Sequence, residues 1–360
     1  MKISYTSHHY YPHTGGTEKV VRSSVESAAS LGHEVHVFSD HGDLSSLKDT
    51  DRIHYHGISL KRVGKFRFPP SSYWKDLSST DSDIFHIHGQ RVWSSDYLYW
   101  HLKDLHGKKI FTAHGFYQMI YGGIANSLYY NQFMPSFLDK FDRIICLTEY
   151  EKAITEKISP SLSKKIDVVP DPVDFHKIVI NENPEETLTK YSVAKNNYFI
   201  HSGGLQKNKN IEFIVRAIKG TGMPLLLTGN TPDKGYENSI RQTGLDNSVE
   251  IKFLGNVPEN DLYTLMANSN AFLFASRFES FGVAMVEAAY SGARVICTDI
   301  GISGELGREG IVKIVNSAAT MTEAVDNYKV DLELNKIRES LIKRFSTENV
   351  MRRIMEVYES

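Results

Sequence analysis

Phe274-Ala275-Ser276-Arg277-Phe278-Glu279-Ser280-Phe281-Gly282-Val283-Ala284-Met285-Val286-Glu287-Ala288 is the stretch on which the reading turns. The apolar run Ala271–Phe274 ends like a strand, a turn carries Glu279, and a helix begins near Gly282 and carries Glu287. Such a helix start leaves the amides of Ser280, Phe281, Gly282 and Val283 without intrahelical acceptors, a cradle suited to a diphosphate. Two carboxylates beside a phosphate site look electrostatically wrong. They fit a ligand that also presents sugar and ribose hydroxyls, because an ionised carboxylate is a strong acceptor for such groups.

The same strand-then-helix alternation runs outward along the chain. Strands are expected at Ile3–Ser7, Glu34–Ser39, Ile84–His88, Lys109–Thr112 and Arg143–Leu147. A second series comprises Ile166–Val169, Tyr198–Ser202, Pro224–Thr228, Glu250–Leu254, Ala271–Phe274 and Arg294–Cys297. Helices are expected between them, among them Glu18–Leu31, Ser127–Lys140, Ile211–Lys219, Asn260–Ala267 and Val283–Ser291. This order implies parallel sheets covered on both faces. The pattern runs twice, from Lys2 and from near Lys195, across Val169-Pro170-Asp171-Pro172-Val173-Asp174 and the polar stretch Asn181–Glu186, read as an inter-domain connection. Two Rossmann-like domains facing each other across a cleft follow, with ligands outside the carboxyl ends of the strands.

Composition agrees with two soluble cores: 360 residues, 41 % hydrophobic and 23 % charged. Lys and Arg number 41 against 43 Asp and Glu, divided 20 against 18 up to Pro170 and 21 against 25 beyond it. Neither half has the basic face that wraps duplex nucleic acid, so no nucleic-acid partner is expected. The lone Cys146 and Cys297 sit in apolar runs and read as buried thiols of a reducing compartment. The first residues lack an apolar core of signal-peptide length, and no stretch approaches about 18 apolar residues. A cytoplasmic location is expected, with peripheral contact at the inner membrane face through Lys61–Phe68, where four cations accompany two phenylalanines.

With these residues in view, the chain resembles glycosyltransferase family 4, retaining nucleotide-sugar transferases of the GT-B fold. Glu279 and Glu287 match the family's Glu-x7-Glu motif, and Gly15-Gly16 its amino-terminal glycine loop. Val169–Asp174 resembles the inter-domain segment, Phe253–Pro258 the base-contacting loop, and Arg344–Tyr358 the closing helix that returns to the first domain. The resemblance implies an acceptor-binding domain of residues 1–170 plus the helix of about 345–360, and a donor-binding domain of residues 171–344.

Residue roles follow from the same resemblance. Glu279 would contact hydroxyls of the transferred sugar, Ser280 to Val283 the diphosphate, Glu287 the ribose, Asn256 and Val257 the base, and Gly16, with Gly15, the leaving phosphate. His114, in Phe111-Thr112-Ala113-His114-Gly115, matches the strand-end histidine near the donor sugar. Lys209 keeps a lysine that neutralises the leaving diphosphate, but Gly204 stands where the family has an arginine. Lys207, Arg277 or the amides of the Gly203-Gly204 turn are candidates to compensate. The family binds no metal, so no cofactor is expected; Lys209 and helix N-termini would take the cation's place.

The expected reaction moves a hexose from a UDP- or GDP-sugar to a hydroxyl of a glycan or lipid-linked acceptor. One alternative is a weak or silent nucleotide-sugar- or glycan-binding relative, motivated by Gly204. The other is a histidine-metal hydrolase, because 13 of 15 histidines lie in the first 114 residues and His8, His9, His13, His86 and His88 could gather. The blander reading makes them polar lining at strand ends facing the cleft. Phe116–Phe141 carries eight aromatics, for a sugar- or lipid-binding wall or for packing on the sheet. A dinucleotide dehydrogenase is disfavoured, since no Gly-x-Gly-x-x-Gly follows the first strand.

Overall fold

The computed structural model describes residues 1–12, 16–64, 66–116 and 123–360. The chain forms two compact units: Met1–Pro172 with Thr347–Ser360, and Val173–Ser346.

The first unit holds β1 (Lys2–Thr6), β2 (Glu34–Asp40), β3 (Ile53–Ile58), a hairpin of β4 (Lys61–Val63) and β5 (Phe66–Phe68), then β6 (Ile84–His88), β7 (Lys108–Thr112), β8 (Arg143–Cys146) and β9 (Ile166–Val168). Seven of these form a sheet ordered β3-β2-β1-β6-β7-β8-β9, every pair parallel. The order reverses direction between β1 and β6, the topological switch point of such a sheet. Ile3, Tyr5, Val35 and Val37 bury one face against Val21, Val25 and Ala28 of the helix Gly16–Ser30. The last helix, Thr347–Glu359, joins this core through Val350, Met351, Ile354 and Tyr358.

The second unit holds β10 (Phe199–Ser202), β11 (Leu225–Thr228), β12 (Ile251–Gly255), β13 (Ala271–Phe274), β14 (Val295–Thr298) and β15 (Val312–Val315). They form a parallel sheet ordered β12-β11-β10-β13-β14-β15, with its switch point between β10 and β13. Phe199, Leu225, Leu227, Ala271 and Leu273 pack against Ile214 and Val215 of the helix Ile211–Ala217.

Four expectations change. Ile166–Val169, grouped with the second series, supplies β9 and pairs with β8 at the edge of the first sheet. Lys61–Phe68, absent from the expected strands, folds into the antiparallel β4–β5 hairpin with Arg62 opposite Arg67. Asn181–Glu186, read as linker, runs into a helix at Pro184–Lys190; Pro184 suits a first helical position and Glu185 and Glu186 complement the helix dipole. The expected single helix Ser127–Lys140 is broken: Ile124–Leu128 and Met134–Leu138 flank a π-turn over Tyr129–Phe133. Pro135 has no N–H to continue the ladder from the preceding turn.

Candidate active site

In the second unit the proposed donor residues collect at the carboxyl edge, around the switch point. Gly282 adopts a left-handed φ of 101° and starts the helix Val283–Ser291 as an N-cap with no side chain to bond its amides. The Phe281 carbonyl accepts from the Ile302 amide at 2.9 Å, and a Cβ on Gly301 would lie 2.3 Å from that carbonyl oxygen. Glycine at 301 is therefore what lets the neighbouring loop close on the cradle at the helix start.

A second loop brings the cation. After β10, Gly203 has φ 142°, and a Cβ there would stand 3.8 Å from Lys209 Cε. Asn208 ties this loop to the Glu279 strand end: its carbonyl accepts from the Arg277 amide at 2.8 Å and its Nδ2 donates to the Phe278 carbonyl at 2.9 Å. Lys209 Nζ thereby reaches Glu279 Oε1 at 2.6 Å, both side chains mostly buried. The two residues assigned to charge and sugar recognition thus meet directly. Gly204 is exposed; a Cβ there would meet nothing within 4 Å, and its φ lies outside the left-handed region. Lys207 and Arg277, the candidates to replace the missing guanidinium, are both exposed.

Glu287 lies on the second turn of the helix, where Tyr263 Oη approaches its Oε1 at 3.4 Å. Asn256 is exposed and Val257 half-buried just beyond β12, where the Gly255 carbonyl accepts from Gly229 at 2.7 Å.

The sequence reading missed His201. It is fully buried in β10; Nδ1 donates to the Leu273 carbonyl at 2.9 Å, which leaves Nε2 as a lone-pair acceptor without a partner among the described residues. That nitrogen and Lys209 Nζ each stand 4.0 Å from where a Gly203 Cβ would be. Burial pushes the imidazole down to about 4, so it stays neutral beside the cation.

In the first unit His114, two residues past β7, is in a left-handed conformation, φ 53°, followed by Gly115 at φ 107°. A non-glycine residue is uncommon in that region and is held there only by its surroundings. Glu151 holds the turn: its two carboxylate oxygens accept from the Gly115 amide at 2.8 Å and the Leu147 amide at 2.6 Å. Thr148 caps the helix Glu149–Ile158, which carries Glu151, by accepting from the Glu151 amide. His114 Nε2 bonds His88 Nδ1 at 2.8 Å, and its Nδ1 faces Asp171 Oδ1 at 3.9 Å. Burial pushes His114 down to about 4, Glu151 up to about 7, and Asp171 up to about 8, the last with help from the Glu151 charge. Gly16 begins its helix exposed, with open space where a Cβ would stand; Gly15 and His13 lie outside the described residues.

Among the described residues, His8, His9, His86 and His88 do not form a metal-ligating cluster. His86 and His88 do not line an open face: both are buried in the sheet, 1 % and 2 % exposed. Tyr358 donates to Tyr5 at 3.1 Å and so accepts from His86 Nδ1 at 2.6 Å, while His86 Nε2 takes the Thr112 hydroxyl at 2.8 Å. Glu34, His36 and His54 bring ligand atoms within 4.8 Å of one another, but at the amino ends of β2 and β3. Asp49-Thr50-Asp51 and Asp81-Ser82-Asp83, which have Asp-x-Asp spacing, also precede strands, β3 and β6. Neither the Glu34–His36–His54 group nor either Asp-x-Asp run is at a carboxyl edge, where ligands of such sheets bind.

Two Rossmann-like units, one with a helix start at Gly282 beside a lysine–glutamate pair, define a nucleotide-sugar transferase of the GT-B type. Glycosyltransferase Family 4 matches residues 14–177, and Glycosyl transferases group 1 matches residues 185–345. The phosphatidylinositol N-acetylglucosaminyltransferase GPI3 subunit of Saccharomyces cerevisiae is 23 % identical over 97 % of this chain and 80 % of its own. A GDP-mannose:cellobiosyl-diphosphopolyprenol alpha-mannosyltransferase of Xanthomonas oryzae is 24 % identical over 83 % of this chain and 79 % of its own. The structure of Anabaena HepE with UDP and glucose superposes with a TM-score of 0.78 at 16 % identity, covering 100 % of this chain and 99 % of that one. The chain belongs to glycosyltransferase family 4. It is a glycosyltransferase that takes its sugar from a nucleotide sugar.

Proposed function

We propose that this enzyme transfers a hexose from a UDP- or GDP-sugar to a hydroxyl of a glycan or lipid-linked acceptor, with retention at the anomeric carbon and without a metal. The C1–O bond to the β-phosphate breaks, and a C1–O bond to the acceptor oxygen forms on the same face. The acceptor's proton passes to the departing phosphate oxygen, so no co-reactant is consumed. The observation that carries this reading is the helix start at Gly282 beside the 2.6 Å pair of Lys209 and Glu279. Amide dipoles and one ammonium supply positive potential where negative charge grows on the leaving group, the largest lever for such a reaction. Glu279 then exchanges its lysine partner for sugar hydroxyls, freeing Nζ for the diphosphate. Glu287 takes the ribose, Ser280 to Val283 the phosphates, Asn256 and Val257 the base, Gly16 the leaving phosphate, and His114 acts on the transferred sugar.

Relatives named for N-acetylglucosaminyl and mannosyl transfer to phosphatidylinositol and diphosphopolyprenol acceptors support the lipid-linked class. A panel of UDP- and GDP-sugars, assayed for nucleotide release with and without EDTA, tests the donor and the metal; NMR of the product's anomeric proton tests retention. Inversion, or complete loss of turnover in EDTA, would reject the corresponding element.

A further inference from the structure

We infer that the first unit carries a site for a phosphate-bearing lipid acceptor in the cavity beside the β4–β5 hairpin. The inference rests on the glycosyltransferase reading and gives the acceptor its chemistry. The cavity is about 1200 Å³, above the roughly 300–1,000 Å³ usual for small-ligand pockets. Its lining includes His8, just past β1, and Arg91 and Trp93, just past β6. It therefore opens at the carboxyl edge over the switch point of that sheet, the place where ligands of this architecture bind.

The chemistry of the lining has three parts. Arg62 and Arg67 of the hairpin and Arg91 supply three guanidinium groups. Arg67 reaches Asp40 at 3.3 Å, while Arg91 bonds the neutral Asn126 amide and lies over the Tyr129 ring at 5.1 Å. One carboxyl, Asp96, shares the lining; it accepts from Tyr129 Oη at 3.0 Å, and burial pushes it up to about 6. Positive charge thus predominates, in the forked form that pairs with phosphate. Next, two buried polar atoms have no partner among the described residues: Trp93 Nε1, on a side chain 7 % exposed, and His8 Nδ1. Both residues line the cavity and offer hydrogen bonds to hydroxyls.

The third part is the rim. Three large exposed apolar side chains are among the lining: Phe68 on the hairpin, Trp100 at 67 %, and Leu128 on a short helix that buries none of its residues. Apolar exposure concentrated at one mouth marks an interaction surface. Aromatic and aliphatic side chains beside arginines suit the boundary between headgroups and acyl chains. A free sugar phosphate would use the guanidiniums and leave the rim in water; a phosphate on a hydrocarbon tail uses both. No described helix is long and apolar enough to cross a membrane.

Flotation of the full chain with phosphatidylcholine vesicles, alone or doped with phosphatidic acid, tests this, with inorganic phosphate as soluble competitor. Binding is expected to the doped vesicles only, and to survive millimolar phosphate. Arg62→Glu with Arg67→Glu should weaken it at least about tenfold, from about fivefold per surface charge. Trp100→Ser, at an exposed position, should weaken it several-fold. UDP and GDP affinity should be unchanged in every variant, and an unchanged thermal midpoint reports that the substituted unit is folded. Equal binding to neutral vesicles, full displacement by phosphate, or indifference to both substitutions would overturn the lipid-phosphate site. Failure of the wild-type chain to bind any nucleotide would instead overturn the glycosyltransferase reading.

Discussion

Gly204→Arg should make this enzyme faster. The family's arginine is absent from this position, and the structure leaves room for it: no atom within 4 Å of the Cβ, an exposed site, and a φ outside the left-handed region. The substitution should therefore change stability by less than about 1 kcal/mol, since removing a glycine from the unfolded chain offsets lost rotamer freedom. A guanidinium about 5 Å from the departing diphosphate gains roughly 3 kcal/mol at an effective dielectric near 20, and holding the side chain there costs up to about 2 kcal/mol. A net 1–2 kcal/mol corresponds to about 5–30-fold in kcat/KM, expressed mainly in kcat because the charge develops in the transition state. Steady-state nucleotide release with the preferred donor reads this directly. Gly203→Arg is the control: at φ 142°, with Lys209 Cε 3.8 Å from the Cβ, it should lose stability and gain nothing. Unchanged or reduced kcat/KM for Gly204→Arg, with thermal midpoint and nucleotide affinity intact, would refute leaving-group stabilisation at this loop.

Other perturbations bear on the same picture. Lys209→Met should lower kcat by about 10²–10³-fold while nucleotide affinity falls less, because it removes the ammonium of the Glu279 pair; stopped turnover kinetics decide it. Tyr263→Phe removes a long 3.4 Å contact to Glu287 and should raise donor KM only several-fold. Gly229→Ala would put a Cβ 2.2 Å from the Gly203 carbonyl oxygen and should destabilise by about 2–4 kcal/mol, read by urea unfolding. Stability should rise with pH from about 4.5 to 6.5 and then decline toward 8. Over the lower range His86, at about 3, and His114 and His201, at about 4, stay neutral in the native state while unfolded histidines still bind protons. Over the upper range native Glu151 and Asp171 hold protons up to about 7 and 8, which unfolded carboxyls have lost. Glu151→Gln should flatten the upper decline; a pH series of thermal midpoints that rises through 8 would contradict it.

Much of this was legible in the sequence, for a physical reason. Strands buried on both faces read as short apolar runs, so β6 and β13 stand at their expected bounds. β3 escaped because His54, Tyr55 and His56 break its apolar run, and β15 because Lys313 interrupts it. The hairpin reads as a charged loop, since every residue of β4 is exposed and no hydrophobic side needed burying. At the site, the helix start at Gly282 follows from local pattern alone. The pairing of Lys209 with Glu279 does not: the partners are 70 residues apart and are brought together by the β10–β13 pairing and the Asn208 bridges. Glu151 carried a local signal, Thr148-x-x-Glu151, a capping box in spacing; its carboxylate is spent on Gly115 and Leu147 instead, a tertiary choice that no local rule specifies.

The central claim, that the Glu279 loop and the helix behind it hold the donor for transfer, is tested most directly by Glu279→Ala in a transfer assay with the preferred nucleotide sugar. Glu279 sits on a loop, and its partner Lys209 keeps some solvent access, so the fold should survive. The account predicts that transfer is lost while the thermal midpoint and nucleotide affinity are kept; undiminished turnover in that variant would contradict it.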